Sequence, residues 1–125
     1  MGGFVLVFAG SGIGGMLRYA VGLLALRWFG PAFPIGTLAI NVFGSAVMGL
    51  VVAMFTALNI GHADVRLFLT TGIIGGFTTF STFSLDAITL WQRGAHAAAI
   101  TYVLASITVS FVALAITVFL VRRLA

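Results

Sequence analysis

Asn41 is the most demanding uncharged side chain that this sequence places inside an apolar run, because an amide carries donors and an acceptor that lipid cannot satisfy. It stands between Thr37 and Ser45 at four-residue spacing, so the three share one face of a helix. Tyr102, Ser106 and Ser110 repeat that spacing later in the chain. Two such stripes on different helices can line one wet path through a bilayer, where an amide and hydroxyls replace the water around an ion. The competing reading is that the hydroxyls bond back to their own helix carbonyls or join helices, each bond worth about 1 kcal/mol. For the serines and threonines both readings stay open, whereas the amide of Asn41 favours the path.

A second group lies between residues 70 and 86. Gly72, Gly75 and Gly76, followed by Thr78, Thr79, Ser81 and Thr82, make the weakest helix former in the chain, and a break is expected there. Unwound carbonyls at membrane depth line cavities or coordinate ions, and carbonyl and hydroxyl oxygens suit a hard cation. Phe80 and Phe83, three apart, project from nearly the same side of a following helix. Packing is the ordinary use of such rings, but their positive edges can also face a small anion. Asp86 is the sole acidic residue within an apolar run and is expected to pair with an arginine or cap a helix, with proton coupling as the alternative. Arg18 lies too deep for easy snorkelling, so it either attracts an anion or is held by carbonyls or a carboxylate. Near it, Gly10 with Gly14 and Ser11 with Gly15 are small pairs at the spacing that lets two helix backbones approach. His62 and His96 read as interfacial residues, and no catalytic motif is found, so an enzyme is not expected.

These residues sit in a chain with 62% hydrophobic and 6% charged residues and a mean hydropathy of +1.25, far outside the range of soluble domains. Four apolar runs, 4–26, 34–58, 67–91 and 97–121, are each long enough to cross about 30 Å of hydrocarbon as a helix. An all-α membrane protein with one four-helix domain over residues 1–125 follows. The first run is longer than a signal-peptide core and lacks a basic flank, so it is expected to be retained. The absence of cysteine excludes disulfides and thiolate metal sites. Basic charge comes from six arginines, most of them at helix ends. Both termini and the 59–66 connection share one side with Arg66, Arg122 and Arg123, against Arg27 and Arg93, with Arg18 leaning the same way, on the other. So small a bias predicts insertion in both orientations and an antiparallel pair of copies.

The run Gly75-Gly76-Phe77-Thr78-Thr79-Phe80-Ser81-Thr82-Phe83-Ser84, with Asp86 after it, closely resembles the signature of the Fluc/CrcB family of fluoride channels. Gly36-Thr37-Leu38 with Asn41, Gly44 and Ser45 resembles that family's second-helix motif, and Gly10, Gly12, Gly14, Gly15, Arg18 and Tyr19 its first. The resemblance implies an antiparallel, dual-topology homodimer in the cell inner membrane. It would passively release fluoride that entered as neutral HF and dissociated inside. It further implies that Asn41 donates to fluoride, that Phe80 and Phe83 line the pore with their edges, and that Tyr102 and Ser110 complete a polar track. Thr37, Thr79 and Ser81 are expected to belong to the same pore, and by the resemblance Arg18 would draw anions to its mouth. A structural sodium ion at the dimer centre would be held by the carbonyls of Gly75 and Thr78. The family often has glutamate where this chain has Asp86. The rival from another class is a small proton-coupled exporter of cationic drugs, which needs a carboxylate in the first span, where this chain has Arg18. A purely structural subunit would explain the glycines and leave Asn41 without a purpose.

Overall fold

A computed structural model describes residues 1–59 and 61–125. Helix α1 runs over Gly2–Phe29 and α2 over Ile35–Ala57. The third run is composite. It begins as α3 (Ala63–Leu67), widens into π-helical turns over Phe68–Ile74, closes with the single turn α4 (Gly75–Phe77), and resumes as α5 (Phe80–Gln92). Helix α6 covers His96–Leu124. Four stretches, Gly2–Phe29, Ile35–Ala57, Ala63–Gln92 and His96–Leu124, are long and apolar enough to cross a bilayer, as the hydropathy pattern predicts.

The helices extend past the apolar limits in three of the four runs. Helix α1 takes in Arg27 and Trp28, and α6 takes in Arg122 and Arg123, because helical hydrogen bonding continues through the interfacial layer where hydropathy falls away. Helix α2 stays close to its predicted limits. Pro34 opens it, and Asn59 leaves the helical region with φ 47°.

Between α4 and α5 the backbone of Thr78 (φ −74°, ψ 159°) and Thr79 (φ −153°, ψ 119°) is extended. The last helical bond before this point runs from Thr78 N to Ile74 O at 3.0 Å. Thr79 then caps α5, its hydroxyl accepting from Thr82 N at 3.2 Å.

Helix α1 packs against the π-helical segment and α4 with backbone nearly on backbone. A Cβ on Gly10 would lie 2.7 Å from Gly72 Cα and 2.8 Å from Phe68 O, and one on Gly76 would lie 2.7 Å from Ser11 O. On Gly14 it would collide with the Ile73 carbonyl oxygen. The expected close approach therefore holds for Gly10 and Gly14. It does not hold for Gly15, where a Cβ would meet nothing within 4 Å.

On the other side, α5 and α6 bury Phe83, Leu90, Ala99 and Tyr102, with Phe33 of the α1–α2 connection packed against them. Arg93 Nη2 donates to Ala32 O at 2.8 Å, which ties the 30–34 and 93–95 connections together at one end, as four antiparallel spans require. The outer surface carries Phe4, Phe8, Phe43, Phe111 and Phe119, suited to a hydrocarbon surrounding.

Candidate functional site

Asn41 and Thr79 lie 38 residues apart and meet at the interruption of the third run. The amide Nδ2 donates to Thr79 O at 3.0 Å, and Oδ1 accepts from Thr79 N at 2.8 Å. A single side chain thus bonds both backbone groups of one extended residue, as a neighbouring strand would. The amide keeps a second N–H for another acceptor. Pinned in this way, buried Thr79 directs its hydroxyl along the start of α5, with Thr82 Oγ1 at 3.1 Å and Ser81 Oγ at 3.4 Å.

Across from Asn41, the α6 stripe of Tyr102, Ser106 and Ser110 is buried throughout. Elsewhere the bland reading of hydroxyls holds: Thr56, Thr70, Thr78 and Ser84 each donate to the carbonyl one turn earlier in their own helix. Ser106 and Ser110 differ, since neither Oγ has a partner among the described residues. Leaving a buried hydroxyl unpaired costs about 1–3 kcal/mol. Two in succession on one face mark a place prepared for something that accepts or donates hydrogen bonds.

That place is a cavity of about 450 Å³, lined by both serines and by Asn41, Thr79, Phe80 and Phe83. Ser45 and Thr78 also reach it. A larger cavity of about 560 Å³ opens beside it, lined in part by the half-buried Arg18, Thr37, Thr82 and Asp86. Thr79 is the one residue that lines both, so it forms the partition. Gly15, displaced from helix packing, borders the larger cavity.

The two phenylalanines share the smaller cavity with different surroundings. Their centroids are 5.6 Å apart, and Phe83 is buried against Tyr102, 5.3 Å away. Phe80 is 78% exposed and stands on the cavity's open side. Asp86 accepts from the Tyr102 hydroxyl at 3.0 Å, so its partner is neutral rather than the arginine expected of it. Arg18 and Asp86 line the same cavity, and the mixed charge gives that mouth no strong preference by sign alone. Ser81 is exposed at the entrance to α5.

No residue pattern singles out Phe33, which stands edge-on to Tyr102 at 5.6 Å and 89°. One lone ring among twelve phenylalanines carries no periodic signal. The available clue was its place between the chain's two prolines.

The donor set for a cation is a matter of carbonyls. In an unbroken helix Gly75 O would receive Thr79 N, but that N–H goes to Asn41 Oδ1, which releases the Gly75 carbonyl. The carbonyl of extended Thr78 likewise lies outside the helical ladder. Hard oxygens without helix partners fit an alkali cation, and two from one chain are too few to fill its coordination.

Residues 5–118 match the family model described as CrcB-like protein, Camphor Resistance (CrcB). A protein of Granulibacter bethesdensis named fluoride-specific ion channel FluC is 52% identical over 122 residues, covering 97% of this chain and 95% of the relative. Proteins of the same name from Mesorhizobium japonicum and Agrobacterium fabrum are each 49% identical, over 96% and 86% of this chain and the same shares of the relatives.

Proposed function

The chain belongs to the CrcB family, and we propose that it is a fluoride-specific ion channel that lets cytoplasmic fluoride leave the cell passively, reducing its toxicity. The observation that carries this reading is the pair of buried, unpartnered hydroxyls of Ser106 and Ser110, residues that line the smaller cavity together with Asn41. Fluoride is small and strongly hydrated, so a path for it must replace several waters with donors at close range. The free N–H of Asn41, the two serine hydroxyls and the positive edges of Phe80 and Phe83 supply such donors without a fixed positive charge that would hold the ion. Arg18 stands at the larger cavity, where its guanidinium offers donors to an arriving anion while Asp86 balances its charge, and Thr37, Thr79 and Ser81 carry the path onward. Tyr102, whose hydroxyl is committed to Asp86, closes the stripe at that end.

The interruption at Thr78 and Thr79 lies, in this reading, at membrane depth, where a second copy in the opposite orientation abuts it. Support comes from the exposure of Phe80, which leaves the smaller cavity open on one side, and from the near balance of arginines between the two ends. The released carbonyls of Gly75 and Thr78, joined by those of the second copy, would hold a structural sodium ion that draws the two broken helices together. The assembly sits in the inner membrane. A proton-coupled cation exporter has no support, because α1 carries Arg18 and no carboxylate.

Purified protein in liposomes loaded with fluoride, read by a fluoride electrode beside chloride-loaded controls, tests the function. Fast efflux restricted to fluoride, and lost in Phe80→Ile, is expected. No fluoride movement from well-folded protein in sodium would overturn it. Tags on each terminus read from both sides of the membrane test the orientation, and one fixed orientation would remove the antiparallel pair.

A further inference from the structure

The chain's two prolines flank one short segment, Pro31-Ala32-Phe33-Pro34, and three constraints fix it. A residue before proline is kept out of the helical region, which holds Phe33 extended. Pro34 (φ −79°, ψ 62°) closes an inverse γ-turn, with Ile35 N donating to Phe33 O at 2.8 Å. Arg93, from the opposite connection, donates to Ala32 O at 2.8 Å. Surface connections are ordinarily the loosest parts of a fold, and one restrained from both sides and from across the bundle is built to present something.

What it presents is the Phe33 ring. The ring stands at 89° to Tyr102 with centroids 5.6 Å apart, the edge-to-face arrangement that aromatic quadrupoles favour. Phe83 meets the same tyrosine at 5.3 Å, so the phenol is held between two rings. Its hydroxyl reaches Asp86 Oδ2 at 3.0 Å and lies beside Thr37, and both of those residues line the larger cavity. Tyr102 itself is fully buried, bonded on one side to Asp86 of the larger cavity and packed on the other against Phe83 of the smaller one. Phe33 itself borders the larger cavity.

Resting on the channel reading above, we infer that Phe33, locked by Pro31, Pro34 and Arg93, is a positioning residue for conduction that keeps the Tyr102 hydroxyl on Asp86 in the wall of the larger cavity. Its ring touches the tyrosine and acts on the ion through it. Leucine at this position fills much of the same space but has no quadrupole, so the phenol gains freedom to tilt.

The test is a double-mutant cycle on fluoride efflux from liposomes. Phe33→Leu is expected to lower the flux about three- to tenfold, the span of a typical aromatic pair interaction. Phe33→Tyr, which keeps the ring, restores it. In a Tyr102→Phe background, which has no hydroxyl to aim, Phe33→Leu should cause no further loss. Equal losses in both backgrounds would overturn the proposal and make Phe33 a packing residue. Arg93→Gln acts on the same segment from outside the core and should show a smaller loss with the same dependence on Tyr102.

A readout separate from transport uses protein labelled with fluorotyrosine, since Tyr19 and Tyr102 are the two tyrosines of the chain. Phe33→Leu should shift or broaden the Tyr102 resonance and leave that of Tyr19 in place. A Tyr102 signal that does not move would refute the positioning role, whereas absent flux in the unaltered protein would count against the channel reading instead.

Discussion

Helix α1 meets the first half of the third run through Gly10, Gly14, Gly72 and Gly76, while α2 meets the second half and α6 through Asn41, Thr79 and the α6 serines. Both regions are written in small or polar residues at helical spacing, and in lipid either kind can join helices. They are used in opposite ways. In the glycine region backbones touch, nothing polar in a side chain is at stake, and any added carbon meets main chain. In the hydroxyl region α2 and α6 also pack closely, a Cβ on Gly49 lying 2.6 Å from Leu114 O, yet beside the smaller cavity Ser106 and Ser110 are left without partners among the described residues. The difference teaches that a small-residue stripe marks packing where its neighbours close over it, and a pathway where they leave polar atoms unpaired.

Substitutions separate the two uses. Gly14→Leu should have the largest effect, because its side chain would have to displace the Ile73 carbonyl and the Phe77 N–H, which cannot rotate aside. Overpacking of this kind typically costs about 1–3 kcal/mol and here falls on backbone, so loss of monodisperse protein in size-exclusion chromatography is expected. A well-folded Gly14→Leu protein would break the comparison on its glycine side.

Asn41→Asp should come next. The carboxylate can still accept from Thr79 N but cannot donate to Thr79 O, and it repels an anion in the adjacent cavity. Loss of a charged-ion donor and of one bridge amounts to about 3 kcal/mol in the barrier, or about a hundredfold in fluoride flux. Undiminished flux in this variant would remove Asn41 from the path.

The smallest effect should be that of Gly12→Ala, where a Cβ meets nothing within 4 Å. Replacing glycine inside a helix stabilises by up to about 1 kcal/mol, read as a higher thermal midpoint with flux unchanged. A clear loss of stability would instead place this face of α1 against a second copy.

Much of this is legible in the residue pattern alone. Uninterrupted apolar runs can only be spanning helices, and the four-residue spacing of Tyr102, Ser106 and Ser110 put them on one face, where they are found buried. The bond between Asn41 and Thr79 was not legible, because it joins residues 38 apart through the packing of separate helices. Spacing also could not separate Gly14 from Gly15, since which face of α1 meets the third run is decided by the partner surface. Asp86 finding Tyr102 instead of an arginine has the same origin: its partner is set by which helix lies beside α5. The helices run past the apolar limits where arginines lie inside the last turns, since hydropathy follows the hydrocarbon and hydrogen bonding does not.

The claim at the centre of this account is that the two unpartnered serine hydroxyls serve the ion and not the fold. The most direct measurement compares fluoride flux and thermal stability in Ser106→Ala, Ser110→Ala and the double variant. Removing a buried hydroxyl that has no partner relieves about 1–3 kcal/mol of unmet hydrogen bonding. The midpoint should therefore hold or rise while the flux falls about tenfold for each serine, one lost ion contact apiece. Flux that stays at the unaltered level, or stability that falls along with it, would contradict the account and return both serines to the role of packing.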